Sequence, residues 1–155
     1  MTSNKAKGDQ HELEVKDYLE ALGWTVFKQH RKVAGMIPTR RGFVPRMKGA
    51  DIFGCDIIAK KPGELTKWIQ VGAEGAKSKK EKQLNEFYWN TDHEAVEIWL
   101  RVEGKKAYRV YVLKRVDSPD TGPGQSFVDT GLVEVGRAIA QARARVLPGG
   151  AAFIR

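Results

Sequence analysis

An α/β domain with a mixed sheet of about five strands, flanked by helices, is the fold class the sequence predicts. Three observations carry that expectation. Apolar residues recur at helical spacing near both ends of the chain. Between them lie several short runs with strand-like alternation. Gly- and Pro-containing turns separate the runs, and none is long enough to demand a second core. The 155 residues are therefore read as one domain, 1–155, large enough to bury a core.

Taken in order, residues 1–8 are polar and expected to fray. Residues 10–22 form a helix, with Leu13, Tyr18, Leu19 and Leu22 as its apolar stripe and Val15 beside it. Gly23 stops it. Residues 24–31 alternate Trp24, Val26 and Lys28 against Thr25 and Phe27, a strand. Residues 32–50 hold three glycines, two prolines and five basic residues, which reads as a long loop or a hairpin excursion. Residues 51–60, bulged at Gly54, and 66–72 form a hairpin of buried strands across the Lys61-Pro62-Gly63-Glu64 turn. Ser78 and Glu81 fit a capping box, so a helix is expected from Ser78 to about residue 90, with Leu84, Phe87 and Tyr88 as its apolar face. Residues 95–116 are a second hairpin around Glu103-Gly104-Lys105-Lys106. Residues 117–126 read as a Pro/Gly/Ser loop. Residues 133–147 are a helix with Val135, Ile139, Ala142 and Val146 on one side, and 151–155 a short terminal segment.

Composition narrows the function. Lys plus Arg number 27 against 19 Asp plus Glu, a net charge of +8 and a pI near 9.6. A small domain this basic suits a polyanionic partner. One cysteine, Cys55, excludes an internal disulfide and is expected to be a small buried filler. His11, His30 and His93 are too scattered for a zinc site. No GxGxxG follows a strand, and neither a Walker loop nor a nucleophile elbow is present. The N-terminal residues lack the apolar core of a secretory signal, and no run approaches the ~18 apolar residues of a membrane span. A cytoplasmic protein without membrane contact is expected.

Two polar residues break otherwise apolar strands: Asp56 in Cys55-Asp56-Ile57-Ile58-Ala59 and Gln70 in Trp68-Ile69-Gln70-Val71. Burying either is costly unless something pairs with it. Paired strands bring the two together, and Glu12 on the first helix adds a carboxylate. Oxygen donors that converge suit Mg²⁺, or Mn²⁺ in its place, which in turn activates water and neutralises phosphodiester charge. The ordinary alternatives are a solvated surface glutamate at Glu12, a salt bridge or turn cap at Asp56, and a backbone-bonded glutamine at Gln70.

Gly8 followed by Glu12, then Asp56-Ile57-Ile58-Ala59, then Ile69-Gln70-Val71-Gly72, resembles the PD-(D/E)xK nuclease superfamily. Within it the likeness is to archaeal-type Holliday-junction resolvases and their phage relatives, over residues 7–72. The resemblance implies a restriction-endonuclease-like core and Mg²⁺-dependent endonucleolytic cleavage of branched DNA by a homodimer. It also implies host-cell cytoplasm if the chain is phage-encoded. Glu12, Asp56 and Gln70 would be catalytic and metal-binding, their oxygens meeting in one pocket. Gln70 stands where that family has an acid, and Gly72 where it has a lysine. Lys77, Lys79 or Lys80 from the following helix is the candidate replacement for the lysine. Glu74 is the candidate replacement acid, and Asp51 a further metal ligand.

Phosphate contacts are expected from Arg31, Lys32, Arg40, Arg41, Arg46, Lys48 and Lys80, which fix orientation rather than sequence. Trp68, Tyr88, Trp89 and Trp99 are read as core residues rather than base-stacking platforms. Two other functions fit the same residues: a DNA-binding module without catalysis, which the glycine at position 72 favours, and a nuclease for flaps, single strands or RNA.

Overall fold

The computed structural model describes residues 4–28, 32–48, 53–118 and 122–145. The chain order is α1 (Asn4–Ala21), β1 (Thr25–Lys28), β2 (Lys32–Thr39), β3 (Gly42–Lys48), β4 (Ile57–Lys60), β5 (Thr66–Ala73), α2 (Lys77–Leu84), β6 (Glu94–Arg101), β7 (Ala107–Ser118), β8 (Gly122–Glu134) and α3 (Val135–Ala144). The architecture is α/β. Strands β1-β4-β5-β6-β7-β8 form a six-stranded sheet, and β2-β3 a separate two-stranded one.

The main sheet is mixed for a topological reason. β4 and β5 turn back on each other across the Pro62-Gly63 turn and pair antiparallel, Ile57 opposite Ile69. β5 and β6 run parallel, Gln70 opposite Ile98 and Gly72 opposite Leu100. Parallel neighbours need a crossover, and α2 lies in that connection. β6, β7 and β8 then follow as an antiparallel meander.

Strand alternation splits the core in two. On one face Ile57, Ala59, Ile69, Val71, Trp99, Tyr108 and Val110 pack with Val15 and Leu19 of α1 and Val135 of α3. On the other, Val96, Ile98, Leu100, Leu113 and Phe127 pack with Leu84 of α2, Cys55 and Trp89. Each fully buried aliphatic side chain contributes about 1.5–3 kcal/mol.

Several expectations are corrected. α1 begins at Asn4, so the described part of the polar N-terminus is helical rather than frayed. Its buried residues are Val15 and Leu19, one turn apart, while Leu13 and Leu22 remain exposed. The second helix starts at Lys77 without a side-chain cap, its N-cap being Ala76 rather than a Ser78 box, and it ends at Leu84. The Trp89 indole N–H donates to the Leu84 carbonyl at 2.8 Å and closes that end. Phe87 and Tyr88 therefore leave the helix, and both are exposed. Of the long loop and the hairpin excursion expected at 32–50, the hairpin is present: residues 32–48 form β2-β3 with Arg40 and Arg41 at the turn. The expected loop after residue 117 is largely strand β8, held by its register on β7. Residues 151–155 and the end of the 133–147 helix lie outside the described residues.

Candidate active site

Asp56 sits immediately before β4 and Gln70 lies within β5. Both are buried, 8% and 1% exposed, as few polar side chains are here. The Asp56 N–H donates to the Ile69 carbonyl at 2.9 Å, and the Asp56 carboxylate accepts the Val71 N–H at 2.9 Å. The acid is thus folded onto the backbone on both sides of Gln70. Gln70 in turn donates through Nε2 to the Gly54 carbonyl, two residues before Asp56. Strand pairing and these three bonds bring Asp56 and Gln70 into one place.

The other half of the Gln70 amide carries the chemical information. Its Oε1 is buried and has no hydrogen-bond partner among the described residues. An unsatisfied buried acceptor costs about 1–3 kcal/mol. Leucine at this site would avoid that cost; glutamine retains a buried hard oxygen one residue before the Val71 N–H that the Asp56 carboxylate accepts. A carbonyl oxygen and a carboxylate match the preference of Mg²⁺ or Mn²⁺ for oxygen ligands, with phosphate and water supplying the rest. The residues present fit such an ion, though they bring only one negative charge to it.

Gly72 lies two residues beyond Gln70 on the same sheet face. A Cβ there would stand 3.0 Å from Lys80 Cε, 3.3 Å from Leu100 Cδ2 and 3.4 Å from Ala76 Cβ. The space above Gly72 is therefore taken by the side chain of Lys80, reaching back from α2. A side chain at position 72 would require Lys80 to shift by a few tenths of an ångström. Of the three lysines expected to reach toward position 72, Lys80 is the one whose side chain stands over Gly72.

The other candidates are placed as follows. Glu12 faces Lys28 of β1 at 3.5 Å, with both side chains largely covered. Lys28 is opposite Ile57, and these two share the α1 side of the sheet; Asp56 is the residue before Ile57. Glu12 is thus at the same end of the sheet as Asp56 but is held by Lys28. Lys77 pairs with Glu81 at 3.2 Å and lies over the Tyr111 ring at 4.8 Å. Lys79 is exposed. Glu74 accepts the Glu103 N–H at 3.2 Å, which turns it to the β6-β7 loop. Among the described residues, no group of three or more His, Cys, Asp or Glu side chains is gathered to hold a metal.

Of the expected phosphate-binding residues, Arg40 and Arg41 are exposed at the β2-β3 turn. Lys32 and Lys48 are cross-strand partners, and Arg46 is opposite Gly35. No acidic residue interrupts this hairpin from 32 to 48. Arg31 and Asp51 lie outside the described residues. No described helix is long and apolar enough to cross a membrane.

Trp89 and Trp99 are core residues, as expected from the sequence, and Trp68 is half-buried. Tyr88 is 91% exposed, which corrects its assignment to the core. Phe53, just before the Gly54-Cys55-Asp56 segment, was not singled out by sequence reasoning. Its ring is 53% exposed and its backbone has φ of 51°. The only sequence signal was an aromatic residue directly before a glycine in a segment otherwise read as strand.

The chain matches no protein-family model and no curated protein sequence.

Proposed function

We propose that this chain is a metal-dependent DNA endonuclease, resolvase-like in its preference for branched DNA, on a restriction-endonuclease-like core. The observation that carries the reading is the buried Oε1 of Gln70, without a partner among the described residues, with the Asp56 carboxylate bonded to the N–H of the next residue, Val71. Lys80, whose Cε stands over Gly72 two residues along β5 from Gln70, supports it. The net charge of +8 and the acid-free basic hairpin supply the phosphate attraction that binding needs.

Asp56 and Gln70 would hold Mg²⁺ or Mn²⁺. When bound, such an ion activates water and neutralises charge on the scissile phosphate. The chain's own residues do the remainder. The Val71 N–H orients the Asp56 carboxylate, and the Gly54 carbonyl fixes the Gln70 amide so that its oxygen faces inward. The Lys80 ammonium stabilises negative charge that develops on phosphate oxygens. Glu12 joins the site only when Lys28 releases it, and DNA phosphate offers Lys28 an alternative partner. Symmetric cutting of a four-way junction calls for two copies of the chain, so a homodimer belongs to this reading.

A second reading, a DNA-binding module of the same fold without catalysis, is favoured by one observation. Glu12 is committed to Lys28, which leaves Asp56 as the one expected carboxylate beside Gln70 among the described residues. The test separates the two. Labelled four-way junction and plain duplex are incubated with the protein in Mg²⁺ or Mn²⁺, beside an Asp56→Ala chain. Divalent-dependent junction cutting that the variant lacks is the expected result. Tight, salt-sensitive binding without cutting selects the module, and absence of DNA binding removes both.

A further inference from the structure

Phe53 is the one non-glycine residue with a positive φ among the described residues, at 51°, and Gly54 follows at 76°. A left-handed backbone costs a bulky residue about 1–2 kcal/mol, a cost glycine avoids. The strained position directs a ring onto the sheet face that carries Gln70. Phe53 packs edge-on against Trp68 at 5.7 Å between centroids and against Phe87 at 5.7 Å. Trp68 precedes Gln70 by two residues on the same face of β5, ~7 Å along the strand.

Burial does not account for these rings. Phe53 remains 53% exposed, Phe87 38% and Tyr88 91%. The turn is also fixed from above: a Cβ at Gly54 would lie 3.4 Å from Phe87 Cε2 and 3.5 Å from the Gln83 carbonyl oxygen. The end of α2 thus clamps the aromatic patch against the segment that leads into Asp56. On the preceding turns of α2, Lys79 and Lys82 are exposed, with Lys80 beside them. Exposed aromatic rings interleaved with lysines combine a π-surface for bases with charge for the backbone.

We propose that Phe53 and Phe87, with Tyr88 beside them, form a stacking platform for an unpaired DNA base next to the Asp56–Gln70 site. The proposal rests on the nuclease reading for the identity of the polyanion, and it adds what that reading lacks: a device that distinguishes an unpaired base from a paired one. A fully paired duplex keeps its bases stacked on each other and presents none to the rings. A junction, flap or bulge exposes one at low cost.

The test is binding in EDTA, where no cutting competes. Two duplexes are compared, one with a single unpaired 2-aminopurine and one fully paired with 2-aminopurine at the same position. The full chain is expected to bind the unpaired site about tenfold more tightly and to quench its fluorescence, and Phe53→Leu to lose both the preference and the quench. Phe53→Trp restores them, which separates loss of a ring from loss of the fold. Full preference and quench in both Phe53→Leu and Phe87→Leu overturn the platform. So does equal binding of the two duplexes by the unaltered chain, or a Phe53→Leu change confined to self-association. The nuclease reading fails separately. Quenching without divalent-dependent cutting keeps the platform and removes the enzyme; cutting without quenching does the reverse.

Discussion

The two faces of the main sheet treat buried polar groups differently. On the α1 side every such group among the described residues is saturated. Glu97, 3% exposed in β6, accepts from Lys67 and, at 2.9 Å, from the Trp99 indole N–H. Tyr108, fully buried in β7, donates to Glu14 Oε1 at 2.8 Å, and Arg101 closes the group on the same oxygen. Burial first, and then the Glu14 bond, hold the Tyr108 hydroxyl far above its usual range, so it stays a donor. On the α2 side Gln70 keeps an acceptor with no partner among the described residues, and aromatic rings stay exposed around it. Closed networks of this kind specify packing. Trp68 Nε1 and Gln83 Oε1 are likewise buried without a partner among the described residues; Gln70 differs in lying within β5 next to the Val71 N–H that holds the Asp56 carboxylate.

Substitutions sharpen that contrast. The largest expected effect is Asp56→Ala, which lowers divalent-dependent junction cutting at least about 1,000-fold while leaving duplex affinity nearly unchanged. Cutting rates beside gel-shift titrations decide it. Lys80→Ala lowers cutting about 100-fold, the size expected when one charge-stabilising group is lost. Adding Gly72→Lys to Lys80→Ala returns much of the rate, because removing the Lys80 chain opens the space above position 72. If the double variant is no better than the single one, Lys80 acts only in binding.

On the α1 side the readout is stability. Glu97→Gln leaves Lys67 without its counter-charge and costs about 2 kcal/mol, less than a fully buried pair because Lys67 is 23% exposed. A melting temperature lower by about 6 °C, with cutting retained, is the expected outcome. Loss of cutting at unchanged stability would erase the distinction between the faces.

The smallest effect is a pH dependence. Burial, and then the Arg101 charge, lower the pKa of His11 below its ordinary 6.5. The unfolded chain therefore binds a proton at a pH where folded His11 does not. Stability falls as pH drops through 6.5 toward the folded value and is flat above it. His11→Gln should flatten the slope of urea midpoint against pH below 6.5 by a few tenths of a kcal/mol per unit.

Much of the fold was legible where local chemistry agrees with pairing. The β4-β5 and β6-β7 hairpins each combine alternating runs with a glycine turn, and Gly63 and Gly104 both adopt positive φ. β8 was not legible, because Gly122, Pro123 and Gly124 read as loop. Its pairing to β7 overrides that, and at the sheet edge a proline forgoes no ladder bond to a further strand. Pro38 and Pro45 left residues 32–50 open between a loop and a hairpin; the hairpin forms, and the two outer edges of a two-stranded ribbon tolerate proline. Asp56 and Gln70 were legible as polar interruptions of apolar runs. Glu97 was not, since one acid in an alternating strand looks solvent-facing. Nor could the sequence place Lys80 above Gly72, which depends on how α2 docks on β5. Phe53 depends on a backbone conformation that residue preference argues against.

The central claim is that Asp56 and Gln70 together hold a divalent cation. Titration of Mn²⁺ into the full chain, followed by electron paramagnetic resonance of the free ion, tests it without DNA or turnover. One saturable site is predicted, weakened about tenfold or more by Asp56→Asn and likewise by Gln70→Leu, with both variants folded by circular dichroism. Mn²⁺ binding of equal strength in all three chains would contradict it.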